Sequence, residues 1–173
     1  TFAGIDGDEY SNIKTFIDQL LALDPLVKAI DEVLDENGFV RDDASPLLRT
    51  LRREHTRISQ NIKEELQRVI NSPTLSKCLQ EPIFTVRNGR HVLPVLANMR
   101  QSIDGVVHDS SASGLTIYVE PLTVVELTNK LRINEVSIER EIERLLWELS
   151  AEAAKHADTI HTDFETLVEL DFI

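Results

Sequence analysis

Three consecutive residues, His108-Asp109-Ser110, supply the residue types of a hydrolytic relay: a base, an acid to orient it and a hydroxyl nucleophile. Their spacing defeats that chemistry. Successive side chains of an extended segment point to opposite faces, so the three groups do not converge. Catalytic residues are therefore none. Ser110, Ser111 and Ser113, with Gly114, fit a polar turn instead. Such a turn either offers hydroxyls and amides to a phosphate or is held by its own serine side chains. Arg87, Asn88 and Arg90 flank another turn, and Arg100 lies in the loop that follows. A guanidinium grips phosphate as a fork, and a hairpin tip projects it outward. Arg87, Asn88, Arg90, Arg100, Ser110, Ser111 and Ser113 are thus the candidates for contact with nucleic acid. Arg49, Arg52, Arg53 and Arg57 form a secondary basic face. That row either tracks a phosphate backbone or is solvated and paired with Glu54, Glu64 or an acidic neighbouring helix. The histidines carry no metal signature. His156 and His161 diverge by roughly 140° on a helix, and neither HExxH nor a cysteine pair accompanies them. His55, His156 and Trp147 read as packing residues on or near apolar stripes.

The elements that position these groups are mostly helices. Ser45 and Pro46 start one, Pro being suited to a first position that needs no amide donor. Leu48, Leu51, His55, Ile58, Ile62, Leu66 and Val69 recur along it at three- and four-residue steps, and Asn71-Ser72-Pro73 ends it. Its 26 or so residues span roughly 39 Å. Pro121 marks another start, and neither Pro nor Gly occurs from Leu122 to Ile173. The stripe Leu127, Leu131, Ile138, Ile142, Leu145, Leu149, Ala153, His156, Ile160, Phe164, Leu167 and Leu170 is nearly heptad, and unbroken would reach roughly 70 to 75 Å. Two shorter helices precede them, about Tyr10 to Leu23 and about Pro25 to Asp35, the second stopped by Asn37-Gly38. Between the long helices, Glu81 to Pro121 breaks the pattern with β-branched and aromatic clusters at Ile83–Val86, Val92–Val95, Val106-Val107 and Ile117–Val119. Asn88-Gly89 is a strong hairpin signal, Asp104-Gly105 a second candidate turn, and Pro94 suggests an edge strand or a bulge. The reading is mainly α with a small antiparallel β insertion of three or four strands, an α+β class. Residues 1–80 form a core and first lever helices, 81–121 a clamp-like β head, and 122–173 the return lever helix, its first half antiparallel to 46–71 and its second against the N-terminal helices.

Composition bounds the rest. A length of 173 residues suits one domain, and a lone cysteine, Cys78, excludes internal disulfides and fits a reducing cytoplasm. No apolar run reaches membrane-spanning length, so no membrane partner is expected. The missing initiator Met and the end within a helical pattern suggest part of a longer protein. Net charge is −12, which argues against a uniformly basic nucleic-acid binder. Its distribution is uneven, however: residues 46–80 hold seven basic and three acidic side chains, whereas 81–120 hold three and four.

LRREHTRISQNIKEELQRVINSP, EPIFTVRNGRHVLPVLANMRQSIDGVVHDSSASGLTIYVEP and LTVVELTNKLRINEVSIEREIERLLWELS together resemble the core and lever region of the MutS family, in the bacterial class bearing a C-terminal Smr nuclease domain. The resemblance covers about Ser45 to Ile173, and VRNGRHVLPV and GVVHDSSASGLTIYVEP are its specific pieces. It implies a homodimeric ATPase using ATP and Mg in the full-length protein, with paired levers and clamp-like tips around branched DNA or a ribosome with its rRNA. It also implies roles in suppressing recombination or rescuing collided ribosomes, and endonuclease activity elsewhere. No GxxxxGK[ST] phosphate loop or Smr motif occurs in this chain, which is therefore expected to be non-enzymatic and without a cofactor of its own. The alternative is a structural or dimerisation module with a protein-binding β head.

Overall fold

The computed structural model describes residues 17–171. Helix α1 is Asp24–Val33 and α2 is Pro46–Ile70. Strands β1 Thr85–Arg87, β2 Arg90–Leu96, β3 Gly105–Ser110 and β4 Thr116–Pro121 follow, then helices α3 Leu122–Ala154 and α4 Ala157–Asp171. The chain is thus α+β, with one four-stranded antiparallel sheet ordered β1-β2-β4-β3. It divides into two compact units, Pro46–Glu141 and a second made of the described residues before Pro46 with those from Ile142 onward.

The core of the first unit follows from two periodicities. Ile58, Ile62, Leu66 and Ile70 recur on one face of α2, while Leu93 and Val95 on β2 share a sheet face with Ile117 and Val119, their register partners on β4. Val124 and Leu131 of α3 close the cluster, and Cys78, Leu79 and Ile103 complete it. Helices α2 and α3 run antiparallel. Asn134 donates to the Leu51 carbonyl (3.1 Å), and Glu135 faces His55 (3.7 Å).

Local chemistry explains the turns. Asn88 and Gly89 have φ of 52° and 73°, the two left-handed positions of a two-residue hairpin turn. Asp104-Gly105, by contrast, does not turn the chain. The 3₁₀ segment Ala97–Ser102 does so, and Gly105 opens β3 opposite Pro121. Glycine is required there because a Cβ would lie 2.3 Å from the Glu120 carbonyl oxygen. The strand order also places β2 inside the sheet, correcting the edge expected from Pro94. Proline is accommodated because β1 pairing has already ended at Thr85↔Val92. On that side the Pro94 carbonyl accepts only the Gln80 amide (2.8 Å), so the ring displaces no ladder donor. A register shift between Val107 and Asp109 puts a bulge in β3.

In the second unit, α1 begins at Asp24-Pro25 and ends where Asp35 Oδ1 accepts the amides of Asn37 and Phe39, both at 2.9 Å. Half of the helix expected from Tyr10 to Leu23 lies outside the described residues, and 17–19 are helical. Residues 20–23 are not helical, and the Leu21 amide donates to Asp163 of α4 (3.0 Å). The long C-terminal stripe is interrupted. At Lys155 and His156 the amides donate to carbonyls three residues back, those of Glu152 and Ala153, instead of four. Glu152 draws both following side chains to itself, and the Lys155 hydrogen bond and charge hold its carboxyl below its ordinary pKa. Trp147 is 77% exposed rather than packed. It lies two residues from both Leu145 and Leu149, hence roughly 200° around the helix from the stripe. No helix among the described residues is long and apolar enough to cross a membrane.

Candidate nucleic-acid interface

The hairpin and its register sort the candidate arginines into different environments. Arg87 and Arg90 form the closing pair of β1 and β2, on the sheet face opposite the core. Arg87 is exposed. Its guanidinium lies 4.6 Å from the centre of the Tyr118 ring, with Nη2 donating to the phenol oxygen at 3.3 Å. Tyr118 belongs to β4, two strands away in the sheet, so this contact reaches across β2. Arg90, on the same face, is partly buried, donating to Asn129 Oδ1 of α3 (2.8 Å) and standing 3.6 Å from Glu120. Arg100 is spent on the backbone, donating to the carbonyls of Ile103 (2.9 Å) and Gly105 (2.7 Å). Fixing the start of β3 is its structural task.

The serine turn holds itself. Ser111 Oγ accepts the Thr116 amide and touches Ser113 Oγ at 3.3 Å, while Gly114, at φ 70°, donates its amide to the Ser111 carbonyl. Asp109 Oδ1 accepts the Ser110 amide. His108 turns to Glu120 (2.7 Å), so His108, Asp109 and Ser110 do not form a relay. On α2, Arg57 pairs with Glu54 (3.4 Å), Arg49 and Arg52 have partners of their own, and Arg53 is exposed. Glu64 bonds Gln60 rather than an arginine.

Groups not singled out from the sequence also gather around the hairpin. Glu120 is buried, 1% exposed, with one oxygen on His108 and the other without a partner among the described residues. Arg132 of α3 reaches the turn, its Nη1 3.9 Å from where a Gly89 side chain would begin. A cavity of about 320 Å³ lies beside it, lined by His55, Ser59, His91, Thr128, Arg132 and Glu135 with apolar neighbours. The period-two alternation of β4 could have flagged Tyr118 and Glu120 as one face, but only the strand order brings Arg87 to Tyr118. Among the described residues no cluster of three or more His, Cys, Asp or Glu could hold a metal ion.

His91, facing that cavity, buries an Nδ1 that has no partner among the described residues. Burial holds its pKa below the ordinary value of about 6.5, against the opposing pull of Glu120 and Glu135; Lys63 adds to the depression. The unfolded chain therefore binds this proton first as pH falls. His91 contributes stability above about pH 6.5 that is lost progressively below it. His91→Gln should flatten the pH dependence of stability between about pH 7.5 and 5.5, measured by urea unfolding at each pH. Equal slopes in parent and variant would refute this role.

The chain is 43% identical over 158 residues to Endonuclease MutS2 of Halalkalibacterium halodurans, covering 91% of this chain and 20% of that protein. It is 40% identical over 168 residues to Endonuclease MutS2 of Caldanaerobacter subterraneus subsp. tengcongensis, covering 97% and 21%. To Endonuclease MutS2 of Pelotomaculum thermopropionicum it is 43% identical over 166 residues, covering 96% and 21%. No family model matches the chain.

Proposed function

Since the chain belongs to the MutS2 branch of the MutS family, of whose matched members it spans about a fifth, we propose that it is their non-catalytic core, lever and clamp segment. In this reading the β sheet is the clamp-like head that meets nucleic acid, as branched DNA or in a ribosome. The α2 and α3 helices carry that contact toward ATPase domains elsewhere in a homodimeric protein using ATP and Mg, which also bears the nuclease activity. The observation that supports it best is the hairpin: a two-residue turn with Arg87 exposed on one side and Arg132 reaching it from α3. Of the seven head candidates, Arg87 and Asn88 remain as outward contacts. Arg90 and Arg100 support the head from within, and the serine turn is occupied with itself.

The test is binding of the full-length protein to branched DNA and to ribosomes across salt concentrations. Arg87→Glu combined with Arg132→Glu should weaken binding at least about tenfold and lower the salt slope by about one for each phosphate that is no longer neutralised. Unchanged affinity and slope on both targets would remove the head as the electrostatic reader. A second reading, a structural or dimerisation module, draws support from Trp147 and Phe164, which are 77% and 65% exposed. It expects charge at Trp147 to disturb assembly while the head variants stay silent.

A further inference from the structure

The outer face of the sheet carries few free cations. Arg90 is committed to Asn129 and Glu120, and Arg100 to two carbonyls, which leaves Arg87 among the head arginines. Carboxylates flank its partner Tyr118: Glu120 lies two residues along β4, and Asp109 is the cross-strand partner. A phosphate track needs several cations in a row, each displacing counterions, and this face does not supply them. It supplies a plane instead. The Arg87 guanidinium sits over the Tyr118 ring at 4.6 Å, held by the Nη2 contact to the phenol, while the residue remains exposed. The guanidinium is thus held against the Tyr118 ring and hydroxyl while the residue stays open to solvent. Because the side chain is already ordered, a flat ligand stacking on it costs little further rotamer entropy.

We propose that the Arg87–Tyr118 stack is a binding platform for an unpaired nucleobase, and hence that the sheet takes single-stranded or splayed nucleotides in preference to uniform duplex. Bases inside a duplex are already stacked and present no free π face. An extruded base presents one, and stacking of this kind is tolerant of sequence. The inference rests on the nucleic-acid reading above and specifies its ligand.

The test uses the full-length protein with an oligonucleotide carrying 5-iodouracil, single-stranded or annealed to its complement, followed by anisotropy and by photo-crosslinking with peptide mapping. The single strand should cross-link within the β1–β2 hairpin around Arg87. Arg87→Lys keeps the charge and removes the plane, so the ratio of single-strand to duplex affinity should fall roughly tenfold, within the range of one base stack. Tyr118→Leu should lower the ratio similarly, and Tyr118→Phe, which keeps the ring but loses the hydroxyl that holds Arg87, should lower it less. Binding by the parent protein with no adduct in that hairpin and an unchanged ratio in Arg87→Lys would overturn the platform while sparing the nucleic-acid reading. No binding of either form, or of branched DNA and ribosomes, would overturn both and favour a protein-facing sheet.

Discussion

Gly105→Ala should cost the Pro46–Glu141 unit at least about 3 kcal/mol, the upper part of the usual range for overpacking. The added Cβ would lie 2.3 Å from the Glu120 carbonyl oxygen and 2.7 Å from Val119 Cγ1. The first of these is backbone in a paired strand, so no side-chain rotation relieves the clash. Three neighbouring structures depend on the same point. Arg100 Nη2 bonds the Gly105 carbonyl, Gly105 pairs with Pro121, and the Leu122 amide that opens α3 donates to the Asp104 carbonyl (3.0 Å). Displacing β3 therefore disturbs the start of a helix as well as the sheet. Urea unfolding followed by circular dichroism measures the loss. A midpoint within experimental error of the parent would show that the strand yields more easily than this geometry allows.

Leu66→Ala should destabilise the same unit by about 2 to 5 kcal/mol, the transfer free energy of the deleted side-chain atoms plus the cavity they leave. Leu66 is fully buried on α2, in the cluster that joins that helix to the sheet through Leu93 and Val119 and to α3 through Val124. Leu47, on the same helix but 54% exposed, is the natural comparison. Leu47→Ala should change stability by no more than about 0.5 kcal/mol. Similar losses for the two variants would mean that the helix stripe does not anchor the sheet.

Much of this arrangement is legible in the sequence because its causes are local. Asn88-Gly89 announces its turn through the φ values those residues tolerate, and the apolar stripe of α2 predicts Ile58, Ile62 and Leu66 as core. The features that escape such reading depend on pairing at a distance. Which partner an arginine meets is decided by the order β1-β2-β4-β3, which sets Arg87 against Tyr118 and Arg90 near Glu120. Asp104-Gly105 carries turn chemistry, yet its glycine serves close approach of two strands. The break at Lys155-His156 contains neither Pro nor Gly, so composition carries no warning of it. Trp147 is exposed against expectation because nearness to a stripe in sequence is not nearness in helical phase.

The bulge in β3 and the brevity of β1 have a consequence beyond register. Both outer strands of an open sheet carry unpaired amides and carbonyls that can recruit a strand from another molecule. Here one border is only three residues long, and the other is interrupted between Val107 and Asp109. Neither offers a long, straight template, so the sheet is shielded against runaway strand-by-strand growth although Val106 and Val107 are exposed on it.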